Sequence, residues 1–347
     1  MYKWYALNRI IRGVVIFCLL MFITSVLNNS VNEKIQHSAI NEYVKAYTMR
    51  LTNVSAAQLE SIRRDVYDQQ IKQYKLDRPL IERILEQTFR AITFQFGDSN
   101  NPALKASTGS LRVIDIIGEA LPNTLLLFTT SSAFILIISI SLGLVKARKP
   151  GGRLDRSTSL VTLIVYGMPS WWLGMMLIML FVYKFKLFPS PGSSIESFPG
   201  LSRGIFLLWQ LILPMMTLVL LGFWGGAYTI RNVVLGILQE DFIMSARARG
   251  IPERKILFGH TMRTAAPPLV TMVLLTLLGS IGGGLIFEGI FNWPGLGRLY
   301  WIALEMNNTP VLMGNLAITI GIYQVGLMIL DLIYGFLDPR IKVGGKA

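Results

Sequence analysis

Six stretches of 18 to 26 residues, each almost free of charge, constrain this 347-residue chain more than any other feature. They run roughly Ile10–Leu27, Thr124–Val145, Leu160–Tyr183, Ile205–Ile230, Leu269–Phe287 and Val311–Phe336. A helix needs about 20 mostly apolar residues to cross the hydrocarbon of a bilayer, and in lipid only a helix or a closed barrel satisfies its own backbone hydrogen bonds. Each stretch therefore reads as a membrane-spanning helix. Composition agrees, with 52% hydrophobic and 15% charged residues, where a soluble domain carries about a quarter charged. The expected fold is an all-α polytopic membrane protein with six transmembrane helices and an extracytoplasmic insertion after the first.

Lysine and arginine in the short loops set the orientation. Lys3, Arg9 and Arg12 precede the first span, and Lys146, Arg148, Lys149, Arg153 and Arg156 follow the second. Arg231, Arg247, Arg249, Arg254, Lys255 and Arg263 lie between the fourth and fifth, and Arg340, Lys342 and Lys346 close the chain. That side carries 17 basic and 5 acidic residues, the other 16 and 14, with Asp331 inside a span. The reading is a multi-pass protein of the cell (inner or plasma) membrane with both termini cytoplasmic. The net charge of +13 reports this topology and contact with anionic membrane lipid, not nucleic acid. Ser25-Val26-Leu27 makes a poor cleavage site, so the first span reads as a retained signal anchor.

The segments expected are the N-terminus and first helix over 1–27, the extracytoplasmic insertion over 28–121, a core of five spans over 122–336, and a cytoplasmic tail over 337–347. Within the insertion, Ser55–Arg90 mixes charges with Leu59, Ile62, Val66, Ile71, Leu80, Ile84 and Leu85 at spacings that fit short amphipathic helices. The chain is expected to re-enter the membrane at Leu121-Pro122-Asn123-Thr124, with proline at a helix start.

The cytoplasmic loop 232–266 is too long for a simple helix connection. Its acids Glu240 and Asp241 come first, then helix formers, then Gly250 and Pro252. That order suits a short helix with acids at its positive end and a glycine stop. A second helical stretch follows from Glu253 towards Pro267-Pro268, where the fifth span is expected to begin. Such a hairpin fits equally a docking element or an amphipathic pair lying on headgroups.

The residues Asp241-Phe242, Ala246-Arg247-Ala248-Arg249-Gly250, Glu253-Arg254, His260, Arg263 and Pro268 resemble the EAA loop of ABC-importer permeases. The form is that of the dipeptide/oligopeptide-type permeases, binding-protein-dependent transport system inner-membrane components. The triplet that names the loop reads Met244-Ser245-Ala246 here, so no role of its glutamate carries over. Phe96-Gly97-Asp98-Ser99, Leu121-Pro122-Asn123-Thr124-Leu125, Gly152-Arg153-Leu154-Asp155-Arg156, Met168-Pro169-Ser170-Trp171-Trp172-Leu173-Gly174, Phe291-Asn292-Trp293-Pro294-Gly295-Leu296-Gly297 and Leu337-Asp338-Pro339-Arg340-Ile341 resemble further stretches of that family, in order.

The resemblance implies a type I ABC importer transmembrane domain, half of a translocation pathway for peptides or a similar solute. Oligosaccharide and nickel importers of the same family are the alternatives. It also implies three partners: a second homologous permease, cytoplasmic ATP-binding-cassette ATPase subunits and an extracytoplasmic solute-binding protein. Glu240, Asp241, Ala246, Arg247, Ala248, Arg249, Gly250 and Glu253 would form the coupling element, with Arg247 and Arg249 either contacting the ATPase or anchoring the loop at the membrane. Ser170, Trp171, Trp172 and Ser280 are the candidate pore residues, against a plain packing role.

The chain is expected to be no enzyme. No Gly-x-x-x-x-Gly-Lys-Ser/Thr appears, so ATP and Mg would belong to the partner ATPase and this chain would bind no cofactor and no metal. The cluster Gly279–Gly284 is expected to permit close helix packing or backbone hinging, against a pore-lining role, with Gly279/Gly283 and Gly222/Gly226 as small-residue pairs. A secondary transporter would show several intramembrane carboxylates and repeated broken helices, whereas only Asp331 reads as ionisable within a span. A membrane enzyme would need partners for His37 and His260, which stand alone in the sequence.

Overall fold

The computed structural model describes residues 2–49, 51, 55–74 and 76–337; the tail with Asp338, Arg340, Lys342 and Lys346 lies outside them. Among the described residues no β-strand forms, and the one extended pairing is an isolated bridge between Asp98 and Arg112. Among the described residues five helices are long and apolar enough to cross a membrane, or six if one bent pair counts as a single span. The all-α polytopic expectation holds.

Several boundaries differ from the hydropathy reading. Helix α1 (Tyr2–Met49) runs 48 residues, well past the apolar stretch that ends at Leu27. Residues 28–49 contain neither glycine nor proline, so nothing local stops the helix where its surroundings turn polar. Helix α2 (Ala56–Gln73) opens on a capping box between Ser55 and Gln58, and α3 (Leu80–Ile92) follows. Helix α4 (Val113–Arg148) starts eleven residues before Thr124 and carries Pro122 inside it. The Asn123 amide donates to Glu119 O one turn back, at 3.1 Å.

The third span is broken. Helix α5 (Arg153–Tyr166) and α6 (Ser170–Ile178), which continues as a π-helix over Met179–Lys184, meet at 96°. Pro169 has no N–H and disfavours helical geometry at Met168. Its carbonyl instead caps the new helix, accepting from Trp172 and Leu173 N–H at 3.1 and 3.2 Å.

Helix α7 (Arg203–Leu238) keeps Pro214 inside it and runs past Ile230. It meets α4 through small residues: a Cβ on Gly222 would press Ile135, one on Gly226 would strike Ser139, and one on Gly143 would lie 2.8 Å from Ile230 Cβ. The Ser139 hydroxyl donates to Phe223 O at 3.2 Å. The Gly222/Gly226 packing expectation is met.

Helices α8 (Asp241–Ala248) and α9 (Glu253–Lys255), a π-helix over Ile256–Thr261 and α10 (Met262–Gly279) follow. The fifth span does not begin at Pro267-Pro268; both prolines sit inside a helical run from Glu253 to Gly282. Nor does it reach Phe287. Gly283 adopts φ +66° and ends it, leaving α11 (Leu285–Ile290) as a separate short helix. Gly279 meets nothing within 4 Å, so Gly279/Gly283 marks a helix break and not a packing pair. Helices α12 (Leu296–Glu305) and α13 (Thr309–Leu337) complete the described residues.

The chain divides into two compact units, Met1–Ile116 with Ala303–Gln324 and Ile117–Ile302 with Val325–Ala347. The first is built around Met21, Ala91, Met313 and Ala317. The second has one apolar cluster around Leu127, Ile178, Leu211 and Phe287 and another around Ile230, Val234, Ile243 and Ile256.

Candidate functional site

The loop between α7 and α10 folds as a compact protrusion. Ile243 and Ala246 of α8 are buried with Leu238, Ile256 and Leu257; each leucine or isoleucine so buried contributes about 1.5–3 kcal/mol where the surrounding medium is water. Helix α8 stops in a Schellman turn: Ile251 N–H donates to Ala246 O at 3.2 Å and Gly250 N–H to Arg247 O at 2.9 Å. Gly250 sits at φ +74° with open space around it, so backbone geometry alone selects glycine there.

Arg247 closes the turn on itself. Its Nε donates to Glu253 Oε1 at 2.7 Å and its Nη2 to Glu253 Oε2 at 3.4 Å, a fork that spans the Gly250 elbow. Arg249 reaches only Ser245 O, at 3.4 Å. Glu240 and Asp241 are exposed at the start of α8, and Arg249 and Ala248 at its end. The large apolar residues exposed on α8 are Phe242 and Met244, neither of them among the residues expected to form the coupling element. Arg148, Lys149, Arg247 and Glu253 line a cavity of about 590 Å³ beside this protrusion.

Behind it lies a buried ionic centre. Asp155 of α5 accepts from Arg231 Nη2 at 2.7 Å and from Gly151 N–H at 2.9 Å, and Lys146 Nζ of α4 stands 3.9 Å from its other oxygen. Lys146 is 1% exposed and also donates to Ser159 Oγ at 3.4 Å, with its ammonium 5.6 Å from the Tyr228 ring centre. One carboxylate thus ties α4, α5 and α7 together.

A second buried carboxylate follows the fifth span. Glu288 of α11 is 0% exposed. Its Oε1 accepts from Thr124 Oγ1 at 3.1 Å and Gly284 N–H at 3.3 Å; its Oε2 accepts from Gly297 and Arg298 N–H at 2.9 and 3.2 Å. Thr124 Oγ1 in turn accepts from Leu296 N–H at 2.7 Å. The first three N–H groups of α12, which no residue inside that helix can satisfy, are therefore capped by α4 and α11. Burial pushes the Glu288 carboxyl up from the ordinary carboxylate range, and the hydrogen bonds from Arg298, Gly284, Thr124 and Gly297 pull it back. A Cβ on Gly295 would strike Glu288 and Thr124, and one on Gly297 would lie 2.6 Å from the Gly284 carbonyl carbon. The Trp293 indole donates to Asn123 O at 2.9 Å and Asn123 Nδ2 to Pro294 O at 2.9 Å, so the Asn292–Gly297 turn is held against α4.

Residues 139–343 match the family "Binding-protein-dependent transport system inner membrane component". The chain belongs to this family. The permease is 32% identical over 275 residues to the oligopeptide transport system permease protein AppB of Bacillus subtilis (strain 168), covering 79% of this chain and 84% of that protein. It is 33% identical over 283 residues to the peptidoglycan transport system permease protein YejB of Agrobacterium fabrum, covering 78% and 74%. It is 30% identical over 274 residues to the dipeptide transport system permease protein DppB of Bacillus subtilis, covering 79% and 83%. Among solved structures, the inward-facing MetNI methionine ABC transporter aligns with a TM-score of 0.46 at 18% identity, over 65% of this chain and 94% of that one.

The permease is thus a multi-pass membrane subunit of an ABC importer, and the secondary-transporter alternative is set aside by family membership, not by counting carboxylates. Burial of ionisable groups extends beyond Asp331: Glu288, Asp155 and Lys146 are all more deeply buried than the half-buried Asp331. Of the pore candidates, Ser170 is half-buried at the start of α6 and Trp171 and Trp172 are 38% and 40% exposed. Ser280 is buried, within 3.1 Å of Thr129 Oγ1. It lines an apolar cavity that none of the other three reaches, so the four do not form one cluster there. His37 Nδ1 stands 3.2 Å from Tyr67 Oη, and among the described residues no group of three or more metal-ligating side chains forms.

Proposed function

We propose that this permease imports peptides delivered by an extracytoplasmic binding protein, pairing with a second homologous permease. In this reading both termini are cytoplasmic, and the protrusion formed by residues 240–253 docks on a separate ATPase that holds ATP and Mg. The observation that carries it is the build of α8: Phe242 and Met244 exposed, Ile243 and Ala246 buried as a backing, and Gly250 turning the chain at φ +74°. Phe242 and Met244, two residues apart on a rigidly backed helix, project from opposite flanks, so each can anchor one wall of a partner's cleft. The Arg247–Glu253 fork stiffens the elbow and so transmits a push to α10. The names of the AppB and DppB relatives favour peptides as the solute.

Gly250→Trp tests the docking. It places a bulky side chain in the open space at the elbow and forces a strained positive φ, at a cost of about 1–2 kcal/mol in the turn. Membrane insertion is expected to persist, while ATP hydrolysis in the assembled transporter loses its coupling to peptide uptake in proteoliposomes. Uptake unchanged in Gly250→Trp would refute the assignment of the coupling element. The purified permease alone is expected to hydrolyse no ATP; robust hydrolysis by the isolated chain would sink the division of labour proposed here.

A further inference from the structure

Helix α3 carries an apolar flank that transport coupling does not explain. Ile81, Leu85 and Phe89, one turn apart, are 60%, 54% and 64% exposed. Ile84, Thr88 and Ala91 on the neighbouring face are buried, and Arg83, Glu86 and Arg90 lie on the opposite flank. What covers the apolar flank follows from where α3 runs along α1.

Arg83 Nη2 meets Glu33 at 2.8 Å, and Gln87 bonds with Asn29. Ala91 and Ile92 pack in the cluster of Met21, Leu20 and Phe17, and the Phe94 ring stacks on Phe17 at 6.1 Å. As numbers rise on one helix they fall on the other, so α3 descends antiparallel beside the span Ala6–Asn29. At 1.5 Å per residue Phe17 lies about 18 Å inside Asn29, more than half of a hydrocarbon core of about 30 Å. Helix α13 supplies an independent count. Met313, Ala317 and Ile320 join the same cluster, and a Cβ on Gly321 would lie 3.5 Å from the Phe94 ring. Gly321 is as far from Thr309, where that span begins, as Phe17 is from Asn29.

We propose that α3 is a re-entrant half-helix embedded in the leaflet on the Asn29 side, with the flank from Leu85 through Phe89 to Phe94 covered by lipid acyl chains. The insertion that hydropathy assigns wholly to the outside therefore returns into the bilayer. Irregular backbone at such depth must find its hydrogen bonds within the protein, and it does. Phe89 O accepts Thr93 N–H at 3.0 Å and Thr93 Oγ1 at 2.8 Å, Arg90 O accepts Gln95 N–H at 2.8 Å, and Ala91 O accepts Phe94 N–H at 3.3 Å. Arg90 turns back one turn to Glu86, 2.7 Å away, the outward reach expected of a long basic side chain near lipid. Asn29, Gln87, Arg90 and Gln95 line a cavity of about 200 Å³, so the polar flank does not face acyl chains.

Single cysteines at Ile81, Leu85 and Phe89, in a Cys18→Ala background, test this with nitroxide labels on the assembled transporter in phospholipid vesicles. Collision with oxygen is expected to stay high at all three, while collision with a water-soluble nickel chelate falls several-fold from Ile81 to Phe89. Equal chelate access at the three sites would place the flank in water and overturn the proposal; exclusion of both reagents at Phe89 would place it under protein and overturn it equally. If a label at Phe89 blocks assembly, the ratio of chelate to oxygen access at Leu85→Cys against Ile81→Cys reads the same gradient one turn higher.

Discussion

Replacing Asp155 with alanine is expected to destabilise the permease by about 3–5 kcal/mol, the range for removing one partner of a buried ion pair. Asp155 is 4% exposed and holds Arg231 at 2.7 Å, with Lys146 at 3.9 Å. Without it two cations face each other across the junction of α4, α5 and α7 with no counter-charge. The Gly151 N–H also loses its acceptor, which frees the turn between α4 and α5. Asp155→Asn is expected to fall nearly as far, because it restores an acceptor but not the charge. The paired change Asp155→Leu with Lys146→Met separates the charge term from shape: it should recover part of the loss, since apolar residues of similar volume often substitute for a buried pair. Thermal unfolding of the purified complex measures the series. A midpoint for Asp155→Ala equal to that of the unaltered protein would show that the centre contributes nothing.

The second large effect is expected at Glu288. In Glu288→Ala the N–H groups of Gly284, Gly297 and Arg298 and the Thr124 hydroxyl lose their acceptor together. A buried donor left without a partner costs about 1–3 kcal/mol, so a loss on the order of 3 kcal/mol is expected even if rearrangement rescues some of them. Glu288→Gln should lie between, because its amide keeps one accepting oxygen but turns an NH2 towards N–H donors. The consequence for transport is local: the start of α12 and the Asn292–Gly297 turn lose their tie to α4. Peptide uptake should fall while the 240–253 protrusion, proposed above to dock on the ATPase and sharing no residue with this centre, still supports ATP hydrolysis. Hydrolysis and uptake falling in parallel in Glu288→Gln would argue against a separate role for this region.

Some features were legible without coordinates because their causes are local or summed along the chain. Hydropathy found all six apolar stretches, since each must be apolar to reside in lipid. The run Glu240 to Pro252 announced a short helix with a glycine stop, and the structure places α8 over Asp241–Ala248 with Gly250 at φ +74°. The small-residue pair Gly222/Gly226 found its partner face on α4.

Other features have causes that lie far apart in sequence. Glu288 read as one more acid of an external loop, because its donor Thr124 stands 164 residues away. Asp155 read as a loop charge, because Arg231 is 76 residues distant. The prolines misled in both directions: Pro169 breaks a span by 96°, whereas Pro122, Pro267 and Pro268, expected at helix starts, sit inside helices whose packing outweighs a lost backbone bond. The sequence alone thus established that the chain lives in lipid, where it becomes apolar enough to cross, and where the short helix α8 must stop, all properties of local composition and backbone preference. Only tertiary contacts decided which charges are buried and paired, and that α3 runs beside α1 from Glu33 to Phe17, because burial depends on what the rest of the chain brings alongside.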